Sequence, residues 1–170
     1  MNRHPGGIEH TRRMLEAAAM PSGARILDMG AGDGEAVALM QSLGYEAEGI
    51  DLAPLSDLVQ QGDFLCSGLP GEQFDAVISQ CAFFVSGDVS KALGESHRLL
   101  KKDGLLLLSD VFFEDPAFLL QDAGFELLCQ EDLTPQWREY YLEALWREDA
   151  VSCCIPRGKC SYRFIIGRKC

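Results

Sequence analysis

Residues 26–34 read Ile-Leu-Asp-Met-Gly-Ala-Gly-Asp-Gly, and no other stretch says as much about the fold. Gly30, Gly32 and Gly34 follow an apolar run over residues 25–29 and precede a helical pattern over 35–42. A strand that gives way to a helix through glycines marks the crevice where open α/β sheets bind nucleotides. Glycine lets backbone approach a ligand closely, and the following helix offers unpaired N–H groups. The spacing then selects among ligands. A dinucleotide loop reads Gly-x-Gly-x-x-Gly. Here the third glycine comes one residue early and Glu35 follows it, a poor neighbour for pyrophosphate. No Gly-Lys-Ser/Thr follows, which excludes a P-loop. Asp28 stands two residues before Gly30, where a carboxylate suits a ligand bearing an ammonium and a sulfonium.

Working outward, residues 46–51 read as a second strand ending on Asp51, 23 positions after Asp28. Two carboxylate oxygens there match the vicinal hydroxyls of a ribose. Short apolar runs alternate with helical periodicity along the rest of the chain, which predicts βαβ units and a parallel sheet. A helix is expected over 8–20, with Ile8, Thr11, Leu15 and Ala18 or Ala19 on one face, broken by Pro21-Ser22-Gly23. Further strands are expected at 62–65, 74–79, 105–111, 125–130 and 162–167. A helix over 89–101 turns at Asp103-Gly104, and a short one over 116–123 ends at Gly124. A helix over 134–150 carries Thr134 as N-cap and Pro135 in its first turn.

The chain has 170 residues, 47% of them apolar and 24% charged, the profile of one globular domain. No apolar run is long enough to cross a bilayer, and the N-terminus lacks the apolar core of a signal peptide, so a cytoplasmic location is expected. The net charge of −11 opposes binding to nucleic acid, which needs a basic footprint. The basic concentration over 157–169 reads as a solvated face.

Residues 26–34, Gly49-Ile50-Asp51, Gly62-Asp63-Phe64, Phe74-Asp75-Ala76-Val77-Ile78-Ser79 and 99–108 resemble, in order, the motifs of the class I S-adenosylmethionine-dependent methyltransferases. The resemblance runs over roughly residues 6–130. It implies a doubly wound, mostly parallel seven-stranded sheet in a three-layer α/β sandwich with an antiparallel last strand. It also implies one methyltransferase domain over residues 1–170, S-adenosylmethionine as cofactor and a small-molecule acceptor. Carried over residue by residue, Asp28 and the loop Gly30, Ala31, Gly32 and Gly34 border the methionine moiety, and Asp51 holds the ribose. Asp63 meets the adenine amino group, with Leu52 and Phe64 flanking the ring. Gln80 faces the methionine part and the incoming acceptor. Pro5-Gly6-Gly7 resembles a cofactor lid found in some members, with His4 and His10 nearby.

After the fourth strand the chain continues Gln80-Cys81-Ala82-Phe83-Phe84, without the Asn/Asp-Pro-Pro-aromatic motif of family members that methylate amino groups of nucleic acids. His10, Gln80 and Cys81 are the candidate catalytic residues; His97 reads as a packed histidine. Cys153, Cys154, Cys160 and Cys170 crowd the C-terminal part but match no zinc spacing, so no metal site is expected. A soft metalloid or thiol substrate would be the chemical use of these cysteines. Two further readings stand beside the methyltransferase: a catalytically silent cofactor-binding module, and an NAD-type oxidoreductase, which the early third glycine disfavours. Helix 134–150 places Trp137, Tyr140 and Tyr141 along one face, most of it against the sheet. That helix is also expected to cover the acceptor pocket or to form a partner surface, such as a homodimer contact.

Overall fold

The structure is a computed structural model that describes residues 4–146 and 159–170. Helix α1 (Gly7–Ala18) leads into β1 (Arg25–Met29), α2 (Glu35–Ser42), β2 (Glu46–Asp51) and β3 (Val59–Gln61). The chain then returns through a 3-10 turn (Phe64–Cys66) to β4 (Phe74–Gln80), α3 (Phe83–Ser86), α4 (Val89–Leu99) and β5 (Leu100–Phe112). It closes with α5 (Pro116–Asp122), β6 (Phe125–Asp132), α6 (Thr134–Trp146) and β7 (Ser161–Lys169). The seven strands form one sheet in the order β3-β2-β1-β4-β5-β7-β6. β7 runs antiparallel to both β5 and β6, and the pairs among β1 to β5 are parallel. The fold is therefore the expected doubly wound α/β sandwich. No described helix is long and apolar enough to cross a membrane.

Side chains alternate across the sheet with period two, and each face is covered by its own helices. Ile26, Ile78, Leu107 and Phe164 pack with Met14 of α1, Val37 of α2 and Trp137 of α6. Leu27, Val77, Leu106 and Ile165 pack on the other face with Leu93 of α4 and Leu120 of α5. Local chemistry starts these helices: the Asp88 carboxylate accepts from Lys91 N–H at 3.0 Å, and Asp115 accepts from Ala117 N–H at 3.0 Å ahead of α5. The order of strands reverses between β1 and β4, so the crevice lies at the carboxyl ends of these two neighbours.

Several expected elements moved. The third strand is residues 59–61, not 62–65, because the Asp63 carboxylate accepts from Leu65 N–H at 2.8 Å and winds Phe64–Cys66 into a 3-10 turn. The helix expected over 89–101 stops at Leu99, where Leu100 turns extended and pairs with Phe74. Asp103-Gly104 then lies in a bulge of β5 rather than a turn before it: pairing skips from Phe74↔Leu100 to Ala76↔Leu105, and Asp103 takes φ 61°. α1 ends at Ala18, with Ala19 left-handed, and its inner face carries His10 and Met14 beside Thr11 and Leu15.

Thr134 is not an N-cap but the first residue of α6. Its N–H donates to the Asp132 carboxylate at 2.9 Å, while its hydroxyl accepts from Tyr162 N–H at 3.0 Å, tying α6 to β7. Trp137 stacks on Tyr162 with ring centroids 6.1 Å apart, and Tyr141 is buried beside it. Leu142 and Trp146 instead stand 59% and 88% exposed. Residues 147–150 of the expected helix, and Cys153 and Cys154, lie outside the described residues.

Leu107 is fully buried at the centre of the sheet. Leu107→Ala should lower the unfolding free energy by about 2–5 kcal/mol, through lost burial and the cavity left behind. Urea denaturation followed by circular dichroism measures this.

Candidate active site

The loop after β1 is held by the neighbouring strand. Gly30 and Ala31 N–H both donate to the Ile50 carbonyl, at 2.9 and 3.2 Å, and Leu55 N–H donates back to the Gly32 carbonyl at 2.9 Å. Gly30 has φ 88°, and a Cβ there would lie 2.3 Å from the Cβ of Ala82. Gly34 caps α2 at φ 78° under Ser56, Leu58 and Val59. Gly32 differs: nothing lies within 4 Å of where its Cβ would be, so this backbone faces open space.

That space is a cavity of about 380 Å³, within the range of small-molecule sites. Asp28, Gly30, Ala31, Gly32, Asp51, Leu52, Asp63, Phe64, Gln80 and Cys81 line it. Gly34 does not line it, and its place is structural, at the start of α2 behind the loop. Nor does His10, whose Nε2 lies 2.8 Å from the Ser109 hydroxyl, edge-on to Phe164. Burial, with His4 and Arg13 nearby, lowers the His10 pKa to about 4. His97 packs edge-on against Phe125 at 5.3 Å, also away from the cavity. The lining further includes His4, Asp33, Glu35 and Ala53, which the motifs left unassigned; Val85 and Ser86 come from α3, a helix too short to show periodicity.

The electrostatics are one-sided. Asp28, Asp33, Glu35, Asp51 and Asp63 all line the cavity, and among the described residues no lysine or arginine does. Asp51 is aimed by backbone: its Oδ2 accepts from Gly32 N–H at 3.0 Å and its Oδ1 from Ala53 N–H at 2.9 Å. Each oxygen keeps a lone pair for a diol. Asp28 is buried, and desolvation first, then the charges of Asp51 and Asp33, push its pKa up to about 7. Such a carboxylate is poised for a cation. Asp63 spends Oδ1 on Leu65 N–H, and Phe64 stacks on Phe83 at 5.7 Å, giving the cavity an apolar wall. Cys81 sits at φ 57°, its N–H on the Ser109 carbonyl and its Sγ 3.2 Å from the Tyr162 hydroxyl. A cationic, diol-bearing adenosyl ligand fits this donor set; the five acids would repel a pyrophosphate.

Residues 27–108 match the profile of a family described as a methyltransferase domain. Those residues are a methyltransferase domain of the class I S-adenosylmethionine-dependent kind. It is 29% identical over 150 residues to an uncharacterized methyltransferase of Anoxybacillus flavithermus, covering 75% of this chain and 67% of that protein. It is 31% identical over 153 residues to the ubiquinone biosynthesis O-methyltransferase of Xanthomonas axonopodis pv. citri, covering 81% of this chain and 62% of that one. It is 27% identical over 160 residues to ribosomal RNA small subunit methyltransferase C of Chromohalobacter salexigens, covering 78% and 48%. The chain thus spans from about half to two thirds of these curated relatives. Its fold matches Haemonchus contortus phosphoethanolamine N-methyltransferase 2, solved with phosphomonomethylethanolamine and S-adenosylhomocysteine, at a TM-score of 0.78 and 17% identity, covering 98% of this chain and 54% of that one. The family's cofactor is S-adenosylmethionine, in keeping with the acids around the cavity.

Two outcomes follow from this geometry. Gly30→Ala forces a Cβ into Ala82 at positive φ, so it should abolish cofactor binding and lower stability by about 1–3 kcal/mol, read by calorimetry and thermal unfolding. Asp28, with its native pKa near 7 against 3.8 unfolded, keeps a proton in the folded protein that the unfolded chain has already lost. The native state then binds more protons across that window, and stability of the ligand-free protein should fall as pH rises from about 4 to about 7. Asp28→Asn should flatten this slope in denaturation curves taken across the same range.

Proposed function

We propose that this protein transfers the methyl group of S-adenosylmethionine to a small-molecule acceptor. The observation that carries the reading is a cavity lined by five acids and, among the described residues, by no lysine or arginine, in a chain of net charge −11. The named relatives divide between a quinone-pathway enzyme and a ribosomal RNA enzyme, so charge is the discriminating feature. A phosphate backbone would meet repulsion at this mouth.

Bound S-adenosylmethionine supplies an electrophilic methyl on a sulfonium. The chain's own residues bind and orient. Asp51, fixed by two backbone N–H groups, takes the ribose hydroxyls; Asp28 balances the ammonium and sulfonium; Asp63 takes the adenine amine, with Leu52 and Phe64 on either side of the ring. Gln80 and Cys81, at the carboxyl end of β4, border the place where the acceptor enters. An in-line displacement then depends chiefly on holding the two reactants in register. The five described cysteines form no disulfide with one another, which supports a reducing, cytoplasmic setting. Exposed Leu142 and Trp146 support α6 as a contact surface for a second copy.

Purified protein given methyl-labelled S-adenosylmethionine should label a small-molecule extract and leave ribosomal and transfer RNA unlabelled; label confined to RNA refutes the assignment. Asp51→Ala should weaken cofactor binding by roughly 2–3 kcal/mol in calorimetry, the cost of losing charge-assisted hydrogen bonds. An unchanged affinity would remove Asp51 from the ribose site.

A further inference from the structure

A second cavity, of about 370 Å³, opens at the same edge of the sheet as the first. β5 and β7 pair as far as Phe112 and Ser161, and residues at and beyond that last pair form its walls. The β5 side contributes Phe112, Phe113 and Glu114; the β7 side contributes Lys159, Cys160 and Arg163. Lys159 and Arg163 belong to the basic stretch over 157–169, expected from the sequence to be a solvated face, and here they share a cavity with an acid.

The charges in this cavity are of both signs and only partly used. Asp115, also in the lining, is spent on Ala117 N–H ahead of α5. Arg163 gives Nε to the Ser161 hydroxyl at 3.2 Å and Nη1 to Asp132 at 3.3 Å, which leaves Nη2 for a ligand. Glu114 and Lys159 are exposed, and no ion pair among the described residues engages either. Burial raises the Cys160 thiol pKa, so the sulfur adds no charge. The first cavity gathers five acids and suits a cation; this one sets Glu114 against Lys159. A simple anion would meet Glu114 and a simple cation Lys159, whereas a head group carrying both charges satisfies the two at once.

Apolar surface joins the two cavities. Val85 lines the first and Phe113 the second, and each stands about half exposed. Phe84, next to Val85, meets the Phe113 ring with centroids 5.8 Å apart. β4, β5 and β7 are successive neighbours in the sheet, so this strip crosses two strand spacings, roughly 10 Å.

We propose that the second cavity holds the head of the methyl acceptor, an α-amino-acid-type zwitterion with its carboxylate on Lys159 and Arg163 and its ammonium on Glu114. An apolar body runs from that head over Phe113 and Val85 to the first cavity. This rests on the methyltransferase reading of the first cavity, where Gln80 and Cys81 border the far end of the body.

The head is tested on the full chain saturated with S-adenosylhomocysteine, by titrating L-phenylalanine, phenethylamine and hydrocinnamate and following backbone amide shifts by nuclear magnetic resonance. Phenylalanine should bind in the millimolar range and move Phe113, Lys159 and Cys160. It should bind about threefold or more tighter than either single-charge analogue, a modest factor because both protein charges are exposed and screened. Lys159→Gln should shrink its advantage over phenethylamine, and Glu114→Gln its advantage over hydrocinnamate. Both variants should keep the parent's affinity for S-adenosylhomocysteine within about twofold, since neither residue lines the first cavity. Biphenylalanine, with a second ring to lie along the strip, should bind tighter still and move Val85 as well. Equal affinity for the three small probes, shifts elsewhere on the surface or no shifts overturns the zwitterion head. A biphenylalanine titration that leaves Val85 unmoved overturns the link to the first cavity. Calorimetry with S-adenosylhomocysteine alone separates the two levels: no binding there overturns the cofactor reading, while cofactor binding without phenylalanine binding overturns only the head-group site.

Discussion

The site depends on how closely the turn after β1 lies against its neighbours. Gly30 sits so near Ala82 that residue 30 has no room for a side chain, while its N–H and that of Ala31 converge on one carbonyl of β2. The turn is thus clamped between the end of β2 and the segment after β4. From this clamp the Gly32 N–H points to Asp51, Gly32 faces open space, and Gly34 begins α2 under the β2–β3 connection. Loosening it would move the floor of the cavity and the aim of Asp51 together.

Backbone geometry of this kind lets a protein gather like charges. Five carboxylates share one small cavity, and burial with mutual repulsion raises Asp28 toward neutrality in pKa. The folded state bears that cost because the sheet beneath is thoroughly packed on both faces, so the strain of an acidic crevice falls on a rigid edge. Asp110 shows the same economy inside the core: its buried carboxylate accepts from Phe83 and Phe84 N–H and so anchors the short helix that supplies Val85 and Ser86 to the cavity wall.

Elsewhere, long-range packing overrode local pattern. Gly62-Asp63-Phe64 looks like a strand by composition, but the Asp63 side chain bonds two residues ahead and curls the chain, which helps bring Asp63 and Phe64 to the cavity. Thr134 has the profile of a helix cap, yet its hydroxyl serves β7, a partner 28 residues away. His10 looks available beside a glycine-rich lid, but α1 turns it inward to Ser109. Each is a residue whose short-range chemistry permits two partners, and tertiary contacts chose.

The sequence by itself determined the alternation of strands and helices, the strand–glycine–helix turn over residues 26–34, and the two acids at strand ends, Asp28 and Asp51. These are legible because period, glycine placement and charge at fixed spacing act within a few residues of one another. Only the tertiary structure decided that Gly34 braces the loop rather than lining the cavity, that Asp33 and Glu35 add to the acidic wall, and that His4 reaches Gln80 across 76 positions of chain. Such contacts follow from the order of strands in the sheet and the path of α1 across it, and sequence periodicity carries no information about which distant side chains that path brings within hydrogen-bond reach.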